Sequence, residues 1–216
     1  MYRGQESSIY VIGRSDAGNH ETIRPWYSDF TIGKRPGTAA GLRFYGEVEF
    51  CTDDESGTRR TITLEAKMQV LEDKTAAIAV SGTGTLKVTQ PADIRNNVQV
   101  SVTLTNTATL KYTTADATLG SGAAMTLGAG TKLWLNTATL SNTLNLPTEG
   151  TATIRIDGAK LSAGDHVIAT VGTGATANVV LDPASTVLDG RKGSLRIEGG
   201  SLVFNVMSKG MILIVK

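Results

Sequence analysis

Apolar and polar residues alternate along this chain with a period of two, the pattern of a β-strand that buries one face and solvates the other. From Thr61 to Val70 the alternation is unbroken, with Ile62, Leu64, Ala66, Met68 and Val70 on one side and Thr61, Thr63, Glu65, Lys67 and Gln69 on the other. Leu42, Phe44, Val48 and Phe50 share a face against Arg43, Tyr45, Glu47 and Glu49. Val98, Val100, Val102 and Leu104 repeat the arrangement, and shorter copies follow at Leu133/Leu135, Leu144/Leu146, Ile154/Ile156, Leu195/Ile197 and Leu202/Phe204/Val206. No apolar stripe of 3.6-residue period is long enough to predict a helix. The pattern predicts an all-β protein with one dry face per strand.

A β-sandwich, a closed barrel and a solenoid of stacked coils all satisfy such a pattern. Sandwiches are stitched by hairpins, yet the tight-turn signals are few: Asp157-Gly158 and Asp189-Gly190, with no Asn-Gly. The middle of the chain shows short strands parted by Gly, Asn-Thr or Thr-Ala corners, as in GTGTLKV, TATLKY, AAMTLG, TKLWLN, NTLNL and TATIRI. Repetition at roughly 20 to 26 residues per three short strands predicts a right-handed parallel β-helix with capping segments. Eight or nine coils at about 4.8 Å each would form a rod of roughly 40 Å. The alternative is a β-sandwich in which residues 42–51 and 61–70 form a hairpin.

Composition divides this picture into three stretches. Residues 1–74 carry 10 basic and 12 acidic side chains, residues 75–150 only 4 and 3, and residues 151–216 carry 7 and 5. We therefore expect a charge-rich N-terminal cap or first coils over 1–74, Thr/Gly/Ala-rich coils over 75–206, and a closing C-terminal strand over 207–216. Thr and Val suit a pleated surface, Gly supplies the corners, and small Ala and Ser allow close stacking. The formal net charge of +1 gives no general pull toward nucleic acid, which is not an expected partner. No apolar run reaches the roughly 18 residues of a membrane helix; the longest C-terminal run, Met211 to Val215, is strand-sized, so the chain is not expected to span a membrane. The N-terminus lacks the apolar stretch of a signal peptide, which predicts a cytosolic protein or a fragment of a larger one.

Gly82–Val88 (GTGTLKV), Thr118–Leu127 (TLGSGAAMTL) and Gly128–Leu135 (GAGTKLWL) resemble the bacterial autotransporter-associated β-strand repeat. The stretch from Ala159 to Phe204, with LSAGDHVIA and GSLRIEGGSLVF, is similar to the closing segment of such surface proteins. The resemblance covers about residues 75–206. It implies a secreted or surface-exposed passenger-like β-helix from a large bacterial protein, and it supplies no catalytic residues.

The candidate chemistry is sparse. Cys51 is the single cysteine, so neither an internal disulfide nor a Cys-rich zinc site can form within the chain. His20 and His166 stand far apart without i, i+4 partners, and no metal or cofactor is expected. Asp53-Asp54-Glu55 lacks the spacing of a calcium loop and reads as a solvated turn. Gly33 to Thr38 (GKRPGT) and Gly120 to Gly122 (GSG) fail the phosphate-loop spacings and read as turns. Asp165 and His166 are adjacent and, in a strand, point to opposite faces. The carboxylates Asp93, Asp116, Asp157, Asp165, Asp182 and Asp189 are singly placed. Aromatic rings are the remaining resource: alternation turns Trp134 outward and Tyr112 inward, while Trp26 and Tyr27 form a local cluster.

The expected function is a noncatalytic structural or adhesive β-solenoid segment of a bacterial secreted or cell-surface protein. Its expected partners are glycans or other surface proteins, with Trp26, Tyr27 and Trp134 as the candidate ligand-binding residues. The alternatives are the C-terminal part of a carbohydrate-active β-helix enzyme and a β-sandwich carbohydrate-binding domain.

Overall fold

The computed structural model describes residues 11–12, 20–33, 42–44, 46–66, 68–70, 76–90, 93–94, 100–114, 119, 123–136, 139–140, 142–157, 161–173, 178–185 and 191–208. Tyr45, Asp116, the Gly120–Gly122 turn, Asp189-Gly190, most of the Gly33–Thr38 turn and the Met211–Val215 strand lie outside these residues.

The chain passes in order through β1 (Val11–Ile12), β2 (His20–Ile23), β3 (Phe30–Ile32), β4 (Leu42–Phe44), β5 (Gly46–Cys51), β6 (Thr61–Leu64), β7 (Met68–Val70), β8 (Ala76–Ser81), β9 (Thr85–Val88) and β10 (Asp93–Ile94). It continues through β11 (Val100–Leu104), β12 (Thr109–Tyr112), β13 (Ala124–Leu127), β14 (Lys132–Leu135), β15 (Thr143–Asn145), β16 (Ala152–Ile156), β17 (Gly164–Val171), β18 (Val179–Leu181), β19 (Gly193–Glu198) and β20 (Ser201–Val206). These form three sheets of four, nine and seven strands, called here sheets 1, 2 and 3. From β1 to β18 successive strands lie in different sheets, and each pairs in parallel with the strand one coil away, so the architecture is the β-solenoid that the alternation predicts.

The parallel pairing excludes the sandwich. Residues 42–51 and 61–70 form no hairpin with each other: β5 pairs in parallel with β2 and β8 in sheet 2, and β6 with β3 and β9 in sheet 3. Strands of residues 1–74 take part in all three sheets. Among the described residues sheet 3 holds seven strands, spanning about 29 Å at 4.8 Å per step, against the eight or nine coils expected. The register in sheet 3 runs Phe30, Ile62, Leu86, Leu110, Leu133, Ile154, Leu181, so coils take 32, 24, 24, 23, 21 and 27 residues. The period expected from the sequence holds in the middle coils, and the first and last of these steps are longer.

Among the described residues the core is built from the inward half of the alternating strands. Val48, Ile78, Val102, Met125 and Leu144 stack in register in sheet 2 and are buried together with Ile62, Leu86, Leu110, Leu133 and Ile154 of sheet 3 in one apolar cluster. Tyr112 is buried in the same cluster, as its phase predicts, and its hydroxyl accepts a hydrogen bond from the Leu119 N–H at 3.3 Å. Burial pushes its phenol up.

The last coil breaks the parallel rule. β20 runs antiparallel to both β17 and β19, so a hairpin closes this end of sheet 2. Its turn is Gly199-Gly200, both with positive φ (55° and 75°), a conformation that favours glycine and suits a two-residue hairpin.

Candidate functional site

The outward residues of sheet 3 form two straight columns. In one, Thr61, Thr85, Thr109, Lys132 and Thr153 stack in register; in the other stand Thr63, Lys87, Lys111, Trp134 and Arg155. The origin is local: the phrase Thr-apolar-basic recurs at Thr85-Leu86-Lys87, Thr109-Leu110-Lys111 and Thr153-Ile154-Arg155, and coils of near-constant length bring the copies into register. Each apolar middle residue is fully buried, which turns the flanking Thr and basic side chains outward.

Beside the threonine column runs an open groove of about 400 Å³, whose lining includes Arg59, Thr83, Gly84, Thr107 and Lys132. Main-chain bonds carry the coil-to-coil pairing into its floor, with the Thr85 N–H donating to the Arg60 carbonyl and the Thr109 N–H to the Gly84 carbonyl, each at 2.9 Å. Gly84 has no room for a side chain, since a Cβ there would press into the carbonyl oxygens of Arg60 and Thr52.

The charges on this face are unevenly engaged. Lys132 donates to Asp182 at 2.8 Å, and Arg155 to Asp157 at 2.9 Å. Asp182 is thereby held below the usual carboxylate range, chiefly by the Lys132 hydrogen bond. Lys87 and Lys111 form no ion pair with a described residue, although they stand in register on neighbouring strands. Partial burial pushes the Lys111 ammonium down, and the positive charges of Lys87 and Arg155 push it further against a small opposing effect of Asp157.

Trp134 points outward, as its phase predicts, but its faces are occupied. The Lys111 ammonium lies 3.4 Å from the ring centroid and the Arg155 guanidinium carbon 3.9 Å, and their strands flank β14 on opposite sides. The indole is sandwiched between two cations and offers a ligand its edge rather than a stacking surface. Trp26 and Tyr27, 41% and 66% exposed, stack on each other in the connection from β2 to β3 with centroids 5.5 Å apart. Trp134 lies four strand steps from β3, roughly 19 Å along the axis. The structure therefore brings Trp26 and Tyr27 together and leaves Trp134 in a separate environment.

A second open groove, of about 440 Å³, lies at the corner between sheets 2 and 3 and is lined by Glu49, Cys51, Asp53, Ser81 and Asn106 among others. Its polar groups fasten the corner. The Ser81 hydroxyl donates to the Glu49 carboxylate, the Thr83 N–H and hydroxyl donate to Asp53 at 2.9 and 2.7 Å, and the Cys51 thiol is buried against the Asp53 carbonyl. The turn Asp53-Asp54-Glu55 is only partly solvated, because the Asp54 carboxylate has no exposed surface. It accepts from the Ser56 hydroxyl and N–H, the Thr58 N–H and the Arg60 guanidinium, so the loop's own polar groups enclose it. Those bonds, the Ser56 hydroxyl foremost, hold its carboxyl far below the usual range.

Asp165 and His166 diverge as expected. Asp165 binds Arg196 of β19 and Asn205 of β20, while the His166 ring lies 2.9 Å from the Ser162 carbonyl oxygen. No protein-family model, curated protein or solved structure matches the chain.

Proposed function

We propose that this chain is a noncatalytic β-solenoid segment with a structural and adhesive role in a secreted or surface-exposed bacterial protein. The observation that supports this reading is how the carboxylates are used. Asp54 is enclosed by its own turn, Asp165 fastens three antiparallel strands, and Asp157 and Asp182 neutralise cations on their own face. Glycosidic hydrolysis calls for two carboxyl groups facing each other across a substrate cleft, and these four are instead fasteners within and between coils. The Thr-apolar-basic repeat adds an extended polar face of the kind a contact surface needs, and the resemblance of residues 75–206 to autotransporter-associated repeats agrees with a surface location.

Incubating the purified chain with a panel of polysaccharides and mucin-type glycoproteins tests the proposal. Retention without depolymerisation is the expected result. Product formation that a single Asp substitution abolishes would make the chain an enzyme and sink the reading; no retention on any member would remove the adhesive half of it.

A further inference from the structure

Lys87 and Lys111 stand side by side on adjacent strands without an acid between them, an arrangement that costs stability through like-charge repulsion. Elsewhere on the same face the cations are neutralised, Lys132 by Asp182 and Arg155 by Asp157. Alongside the two lysines run the Thr85 and Thr109 hydroxyls and the groove whose rim carries Arg59, which also makes no ion pair with a described residue. Each of these rungs thus presents one cation and one hydroxyl, repeated about every 4.8 Å along the axis.

Resting on the adhesive reading above, we propose that this stripe binds a linear acidic polysaccharide of the uronate type, lying parallel to the solenoid axis. A polymer with one carboxylate and several hydroxyls per sugar ring complements the stripe residue for residue. Its carboxylates sit against Lys87 and Lys111, and its hydroxyls exchange hydrogen bonds with Thr85 and Thr109. Trp134 does not stack on a sugar, since its faces are taken; it positions Lys111 by holding the ammonium over the ring. Nucleic acid fits less well. Arg155, the residue of this column suited to bidentate phosphate recognition, already spends its guanidinium on Asp157, and no aromatic face in the column is free for bases.

The test compares the full chain with the double variant Lys87→Thr/Lys111→Thr, which extends the Thr63 pattern of the same column. Binding to immobilised alginate is measured against neutral dextran and a single-stranded oligonucleotide, and melting temperature is recorded with and without alginate. The expected result is salt-sensitive retention on alginate, weakened about tenfold or more in the variant. Alginate should raise the melting temperature of the unsubstituted chain alone. The variant without ligand should melt no lower than the parent, which separates lost binding from lost folding. Equal alginate binding by both proteins, equal binding to dextran, or tighter binding to the oligonucleotide would overturn the proposal. Unchanged retention of the variant on a mucin-type glycoprotein, together with no alginate binding by either protein, would overturn the stripe and leave the adhesive reading standing. Retention on nothing in the panel would overturn both.

Discussion

Asp54 shows how far one side chain's role can depend on neighbours that the local sequence does not reveal. Three consecutive acids suggest a solvated turn, and Glu55 is indeed exposed. Asp54 instead accepts hydrogen bonds from three later residues of the same loop, including Arg60 across the closing of the turn. Its folded-state pKa lies below that of the unfolded chain, so its contribution is present above the unfolded value of about 3.9 and is lost as pH falls toward the lower folded value. Asp165 and Asp182 are shifted the same way, by Arg196 and Lys132 respectively, and they add to the acid sensitivity. Asp54→Asn should lower the melting temperature at pH 7, and the gap to the parent should narrow between pH 4 and pH 2. A gap that stays constant across that range would show that the charge of Asp54 is not what stabilises the turn. Trp134 carries the same lesson: alternation places it outward, but only the register of β12, β14 and β16 shows that Lys111 and Arg155 cover its faces.

At the scale of strands and corners, the inward phase of the core-forming strands and the spacing of the corners are legible in the sequence, and the bonds that fasten the corners are not. Thr52 illustrates the gap. Its buried hydroxyl donates to the Ser81 carbonyl at 2.7 Å and accepts from the Gly84 N–H at 2.9 Å, stitching consecutive coils together. Such a bond joins residues 29 and 32 positions apart, and a periodicity of two carries no information about it. Gly84 belongs to the same junction, and its lack of a side chain follows from the backbone of the previous coil. Gly84→Ala should destabilise the chain by about 1–3 kcal/mol, the usual cost of overpacking, measured by urea unfolding. A change within a few tenths of a kcal/mol would mean that the corner relaxes freely. The Gly199-Gly200 turn, by contrast, is a short-range hairpin signal carried by neither an Asn-Gly nor an Asp-Gly pair.

For the whole molecule, the decisive feature is where parallel growth stops. The β19–β20 hairpin buries Leu202, Phe204 and Val206 and covers the edge that β17 would otherwise present. An eight-residue strand with an unpaired edge is a template for pairing with another chain. Truncation after Lys192 should therefore yield species of higher mass than the full chain, read by size-exclusion chromatography with light scattering. A truncated chain that runs with the same oligomeric state as the parent would show that the hairpin is not needed as a cover.

The sequence by itself determined the all-β class, the inward and outward sets of β5, β6, β11, β12, β14, β15, β16 and β20, and a coil period of roughly 20 to 26 residues that the 21- to 24-residue middle coils match, because strand geometry imposes a period of two and the corners recur at regular intervals. It also contains the Thr-apolar-basic phrase at the three places that fall on sheet 3, 85–87, 109–111 and 153–155. Tertiary structure alone decided that these copies stack in register, that Lys87 and Lys111 become neighbours, that the indole of Trp134 is enclosed, and that the last strands turn antiparallel. All of these depend on backbone pairing between residues some 20 to 40 positions apart, and the lengths of the intervening connections set that pairing, whereas alternation along a strand fixes only which face each side chain takes.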